Sequence, residues 1–360
     1  MVETDSKKIY SLTYSFVIFT SFLAIFIGEG THMMYNEGRN DTLISSIIGF
    51  ILSFILFYIV RWIVNKNEKE DVFELNKSIF GNVLGRILNI ALWIGFFLVA
   101  TIIMYSMADF LNTEYLPDTS IDYLKILVIL PIVYVSTKSL ATLIKTNQML
   151  SLISLGIIIL CFVGIFDSFE FRNLEPLFST SKTSIFKNII TYFILSSLPL
   201  SMFLITSKNN IKDDKNLNKN MLKVFILSNI VTIAIISGTI LTLGIEYIEI
   251  FRFPEYIALK QFSLFNILER VENILAMQYF FNNLGLLCML YYYLIKLLPQ
   301  TKIKKYYSII LGIVQIIITD ILFNNTITFL EYVSKYFIWI VGILILFPII
   351  LIFFRMQKSE

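Results

Sequence analysis

"FIGEGTHMM", residues 26–34, closes the first long apolar stretch of the chain and sets two glycines around a glutamate. In lipid a charged side chain costs at least ~2.5–3.5 kcal/mol at the helix centre. Glycine weakens a helix by roughly 1 kcal/mol relative to alanine. The combination is tolerable where the backbone leaves the helix and faces protein or a watery cavity rather than acyl chains. Two readings follow: Glu29 lies in a wet, protein-lined pocket at a break in the helix, or it sits in water at the outer mouth of the span.

The surroundings are those of an integral membrane protein. Of 360 residues, 57% are hydrophobic and 15% charged, and the mean hydropathy is +0.76. A soluble domain with this balance could not cover its surface with polar groups. The apolar runs are long and continuous, so helices are expected rather than a barrel, whose strands alternate over about ten residues. The N-terminus lacks a short apolar core followed by a small-residue cleavage site and reads as a retained helix. Cys161 and Cys288 lie apart within apolar runs, which supports neither a disulfide framework nor a zinc site.

Ten spans are expected: 10–35, 41–63, 85–110, 121–138, 145–167, 185–207, 221–247, 271–298, 305–323 and 332–354. Each is near or above the ~20 residues that cross a bilayer. The N-terminal tail, the 2–3, 4–5, 6–7 and 8–9 connections with their flanks, and the C-terminal tail carry 20 of the 29 Lys and Arg residues. The richer side is expected to be cytoplasmic, with both termini inside. Residues 70–86, "EDVFELNKSIFGNVLGR", read as an amphipathic interfacial helix leading into span 3. The 248–270 connection mixes aromatics with charges and is expected to lie along the outer surface. No segment is long enough for a soluble catalytic domain.

Span 6 carries a second interruption, "ILSSLPLSMF" (194–203), in which Pro199 removes a backbone donor. Spans 1 and 6 open two five-span halves, roughly 1–167 and 185–354, of a single polytopic domain. An odd span count per half inverts the second half. Paired interruptions at corresponding positions point to a transporter-like site, although Gly and Pro also occur in membrane helices as packing features. Thr101, Tyr105 and Asp109 share a face of span 3, with Asp109 near the solvated outer end. Gln278 with Asn282, and Tyr279 with Asn283, form i, i+4 pairs in span 8 that either join helices or line a path. Asp320 with Asn324 in span 9 faces partners or the outer surface, and His32, the only histidine, reads as interfacial. No phosphate-binding loop, zinc spacing or Gly-x-Ser-x-Gly elbow is present, so no enzyme and no cofactor are expected.

Several stretches resemble one family. They are "FLNTEYLPDTSIDYLKIL" (110–127), an acidic outer loop; "FEFRNLEPLF" (169–178), before span 6; and "FRFPEYIALKQFSLFNILERVENI" (251–274), an aromatic-Pro, a short helix and a Glu-Arg-x-Glu pattern at Glu269, Arg270 and Glu272. In order and spacing they resemble the spore germinant-receptor B subunits of the amino acid–polyamine–organocation transporter superfamily. The resemblance implies an all-α, ten-span inverted-repeat bundle with broken spans 1 and 6 in the inner membrane of the spore. It implies work with A and C subunits and lipid, a small nutrient such as an amino acid as ligand, and no nucleic acid. By the same resemblance the ligand would lie at Gly28, Glu29, Gly30 and Thr31 with Ser196, Ser197, Leu198 and Pro199, walled by Tyr105 and Asn282. One departure stands out: Glu29 occupies the middle of a Gly-x-Gly where superfamily permeases place a small residue for the ligand's carboxylate. A carboxylate there repels that group, so Glu29 contacts an amino group, holds a cation or points away. The alternative to a receptor is a secondary amino acid transporter coupled to protons or sodium, with Glu29 as coupling carboxylate.

Overall fold

A computed structural model describes residues 9–67, 70–260, 272–298 and 306–358. Lys7, Lys8, Lys69, Glu269, Arg270, Lys302, Lys304 and Lys305 lie outside the described residues. Within them the chain is helical, with one isolated parallel bridge between Ile9 and Ile211. Seven helical runs are long and apolar enough to cross a membrane. The first, Ser11–Lys66, folds back on itself and supplies two passes. It comprises α1 (Ser11–Ile25), α2 (Thr31–Gly38) and α3 (Thr42–Lys66). The order continues with α4 (Val72–Glu114), α5 (Ile121–Ser136), α6 (Leu140–Ile165), α7 (Lys182–Ser201) and α8 (Asp214–Leu243). Two short helices, α9 (Ile245–Ile248) and α10 (Pro254–Lys260), lead to α11 (Glu272–Leu297), α12 (Tyr307–Leu322), α13 (Thr326–Val341) and α14 (Phe347–Gln357). The last two are joined by a wide π turn over Gly342–Leu346 and form one pass. Eight of the ten expected spans fall on these seven long runs, and the other two, 121–138 and 305–323, correspond to the 16-residue helices α5 and α12, which fall short of that length.

Both ends of the bundle are stitched. At one end the carboxylate of Asp213 accepts from the Ser11 N–H (2.6 Å) and hydroxyl (2.8 Å), and Asn65 and Asn218 exchange amide hydrogen bonds at 3.0 and 3.1 Å. At the other, Asp41 accepts from the Phe178 N–H at 2.5 Å and the Thr180 N–H at 2.9 Å. This ties the connection after α6 to the turn between the first two passes. Residues 70–86 begin as expected with a helix, capped by Asp71 and Glu74. That helix bends sharply at Gly81, whose φ of +75° only glycine adopts readily, and the Asn89 amide then donates back to the Phe73 carbonyl at 2.9 Å.

The first pass is broken. Ile27 has extended backbone (φ −71°, ψ 123°) and Gly28 takes φ +94°, ψ −76°, a region that L side chains rarely enter. The Gly28 N–H finds the Thr31 hydroxyl at 3.2 Å, which gives a donor at the break a partner. A side chain at position 30 would meet the Ile25 carbonyl at 2.7 Å. The two glycines are therefore needed for different reasons, the first for torsion and the second for space.

The second interruption falls later than Pro199. α7 runs without a torsional break through Ser201, Pro199 included, and passes into a 3-10 turn over Met202–Leu204. The serine hydroxyls bond carbonyls one turn back: Ser196 to Tyr192 at 2.8 Å, Ser197 to Ile194 at 2.6 Å and Ser201 to Leu198 at 2.6 Å. Such bonds let a membrane helix accommodate a proline without unwinding.

Candidate ligand site at the broken first span

The 7–8 connection was expected along the outer surface; its residues 261–270 lie outside the described residues, and its described part enters the bundle: Phe253, Pro254, Glu255 and Tyr256 are buried, and the Arg252 side chain is only 9% exposed. Arg252 donates through Nη2 to Glu29 Oε1 at 2.5 Å and through Nε to Asp109 Oδ2 at 3.2 Å. Glu29 and Asp109 are 4% and 1% exposed, so the guanidinium bridges two desolvated carboxylates. Desolvation alone would lower its pKa, but the charges of Glu29 and Asp109 outweigh that and hold it above the ordinary arginine value. Its plane also lies over the rings of Phe253 and Phe329, at 4.4 and 5.4 Å.

A hydrogen-bond chain completes the cluster. Ser106 donates to Glu29 Oε1 at 2.5 Å, which leaves the Tyr279 hydroxyl to donate to Ser106 at 2.8 Å. Thr326 donates to Asp109 Oδ1 at 2.6 Å. Glu29 is thus not a lipid-facing acid: it sits at a backbone break and is held by α4, α11 and the inserted connection. Three buried polar atoms around it have no protein partner among the described residues: Glu29 Oε2, Arg252 Nη1 and Glu255 Oε1. Buried polar groups are rarely left unpaired without a reason.

Below the latch is a small cavity of about 10 Å³. Its walls are the broken backbone at Ile27 and Gly28, the rings of Phe110, Phe253, Tyr256 and Tyr279, the Glu255 carboxyl and Ala276. Burial pushes Glu255 up to about 7, although the Thr31 hydroxyl and Arg252 draw it down.

Of the residues named from sequence, Gly28 lines this cavity, Glu29 holds the latch and Thr31 touches both the Gly28 N–H and Glu255. Gly30 is the spacer against Leu195 of α7. Ser196, Ser197, Leu198 and Pro199 are buried in α7 outside the cavity, because the break meets α7 higher up, where Phe26 packs on Tyr192 at 4.6 Å. Tyr105 lies outside the cavity but beside the latch, packed on Phe323 and Phe329 at 5.1 and 4.6 Å and next to Thr326, while Ser106 and Phe110 occupy the α4 face toward the break. Asn282 lies a turn below Tyr279 and donates to Ser154 of α6 at 3.0 Å. Asp109, read as solvated, is buried, whereas Asp320, read as facing partners or the outer surface, is half-exposed and pairs with Lys125. Arg252, Ser106 and Glu255 were missed. The available signal was "FRFPEY", an arginine between two phenylalanines ahead of a proline, which is a poor composition for a solvated loop.

Comparison with known proteins agrees with this architecture. Residues 7–329 match the spore germination protein family, Spore_permease. The chain belongs to that family. No curated protein sequence matches it. Among solved structures it is similar to a Na⁺-coupled sialic acid symporter in a substrate-bound, outward-open state (12% identity, 95% of this chain and 80% of that one, TM-score 0.62). It is also similar to MhsT in complex with L-phenylalanine (14% identity, 94% and 88% coverage, TM-score 0.62). At these identities the likeness shows the fold: a transporter-type bundle. The spore germination protein is a multi-pass membrane protein and not an enzyme.

Proposed function

We propose that the chain is the nutrient-sensing B-type subunit of a spore germinant receptor. It lies in the inner membrane of the spore, with both termini in the cytoplasm and A and C subunits as partners. A small amino acid-like nutrient reaches the broken first span from the Arg252 side and contacts Gly28, Glu29 and Thr31. Its arrival loosens the Arg252 latch, and the altered packing of spans 1 and 3 passes to the partner chains. The observation that carries this reading is the bridge from Arg252 to Glu29 and Asp109 over a break in span 1. A two-state element needs a contact that a ligand can favour or replace, and this latch joins three separate segments beside unpaired polar atoms.

Spores carrying Gly28→Leu should keep the folded chain in the inner membrane, lose nutrient-triggered germination and respond normally to a trigger that bypasses the receptors. Normal nutrient germination at limiting dose would refute the assignment. The alternative, a secondary transporter with Glu29 as coupling carboxylate, draws on the fold shared with a symporter. Proteoliposomes with an imposed ion gradient separate the two: concentrative uptake of labelled amino acid supports transport, and ligand binding without uptake supports sensing.

A further inference from the structure

A groove of about 800 Å³ runs down the outside of the bundle between α2, α7 and the last pass, lined by none of the latch residues. Its two ends differ in chemistry. One end holds Asn36 and Glu37 of α2, Lys187 of α7 and Lys335 of α13. The rest is apolar, with Ile190 and Ile194 on one wall and Ile338, Trp339, Ile343 and Phe347 on the other. Trp339, Ile343 and Phe347 are exposed, so the groove is open along its length. The wide π turn over Gly342–Leu346 forms part of the second wall. Such turns inside helices are rare and frequent at functional sites.

Dimensions and charge select the occupant. From Ser334 to Ile350 the wall follows one pass for roughly 24 Å, against about 15 Å for one leaflet of a ~30 Å hydrocarbon core. A whole acyl chain fits along it. A partner's membrane helix would call for small residues that let two backbones approach closely, and these walls are built mainly of Ile, Leu, Phe and Trp. At the polar end Lys187 faces Glu37 at 3.6 Å, too far for a hydrogen bond. Lys335 makes no ion pair among the described residues and lies over the Tyr336 ring at 5.1 Å. Two ammonium groups against one carboxylate leave one positive charge with free donors, which suits a phosphodiester.

We infer that this groove is a binding site for an anionic phospholipid, with Lys187 and Lys335 on its phosphate and one acyl chain along Ile338, Ile343 and Phe347. The half-helix beyond the break, α2, gives the groove Met33, Asn36 and Glu37. A seated lipid therefore packs α2 against the last pass and gives the bilayer a hold on the segment that begins at Thr31. The inference stands on the membrane-facing surface and is independent of which ligand the broken span takes.

Trp339 reports on the site directly. The chain has three tryptophans, so Trp62→Phe with Trp93→Phe leaves Trp339 alone. This full-length chain is placed in nanodiscs doped with phosphatidylglycerol or phosphatidylcholine brominated on the acyl chains, since bromine quenches indole fluorescence on contact. Phosphatidylglycerol should quench with about fivefold preference, the amount that one uncompensated lysine charge supplies near a headgroup. Adding Lys187→Gln and Lys335→Gln should bring the preference to unity or below. Equal quenching by the two lipids before the lysine changes, or a preference that survives them, overturns the site. Relief of phosphatidylglycerol quenching by millimolar glycerol 3-phosphate would make free phosphate the occupant and also overturns it. So does a lack of quenching by either lipid, which would mean that a second copy of the chain fills the groove. Native mass spectrometry of the chain with all three tryptophans gives a second measurement that needs no tryptophan change: phosphatidylglycerol retained at about one per chain after delipidation, and lost with the two lysine changes, supports the site, and none retained overturns it.

Discussion

Replacing Arg252 with methionine isolates the energetics of the latch. The side chain keeps its length and loses the guanidinium, leaving Glu29 and Asp109 at 4% and 1% exposure without their cation. Two unit charges 4 Å apart attract by roughly 4 kcal/mol at an effective dielectric of about 20. The two contacts here, at 2.5 and 3.2 Å, are offset by a desolvation cost of several kcal/mol per ion. The intact cluster therefore contributes little net stability, but removing one partner of a buried pair costs about 3–5 kcal/mol because the remaining charge is stranded. We expect Arg252→Met to lower stability by that amount, read as a fall on the order of 10 °C in the unfolding midpoint of the nanodisc-embedded chain. Adding Glu29→Gln and Asp109→Asn should restore most of the loss, since the neutral isosteres still accept from Ser106 and Thr326. An Arg252→Met chain as stable as the parent, or a triple variant no better than the single one, would refute the claim that these groups form one desolvated cluster.

Three further outcomes follow from the same geometry. Gly28→Ala should cost about 1–2 kcal/mol in the unfolding midpoint, because φ +94° is strained for an L residue while the added methyl meets only ordinary contact at 3.5 Å. Pro199→Ala should leave nutrient-triggered germination intact and change stability by less than about 1 kcal/mol, since α7 is already helical there. Glu255, raised from 4.5 to about 7, makes its full contribution below its unfolded value and loses it as pH rises through 7. It is faced by Thr31 and Glu29 of the first span, Tyr35 of α2 and Arg252 of its own connection. Glu255→Gln should therefore gain stability over the parent between about pH 4.5 and 7, by about 3 kcal/mol at the upper end, measured as the pH profile of the two midpoints.

Which parts of the molecule were legible in the sequence follows from range. The passes are local: long apolar runs bounded by charges must cross the bilayer, because an unpaired backbone cannot stay in lipid. The break was local too, since Gly28-Glu29-Gly30 puts a costly charge beside two residues that free the backbone. Arg252 was not local. It lies 223 residues from Glu29 and 143 from Asp109, and whether a connection between two spans rests on the surface or plunges into the bundle depends on packing that no short window encodes. Asp109 was read as solvated for the same reason, its cation being invisible. Pro199 misled in the opposite sense: a proline marks a lost donor, but the Ser196, Ser197 and Ser201 hydroxyls bond neighbouring carbonyls and the helix carries on.

The most direct test of the account is photolabelling of receptor-containing membranes with a diazirine-bearing amino acid, competed by the nutrients that trigger germination. The account predicts competed cross-links on residues 26–31, 106–110, 252–256 and 276–279, around the broken backbone and the inserted connection. Competed labels confined to other segments, with none on these four, would contradict it.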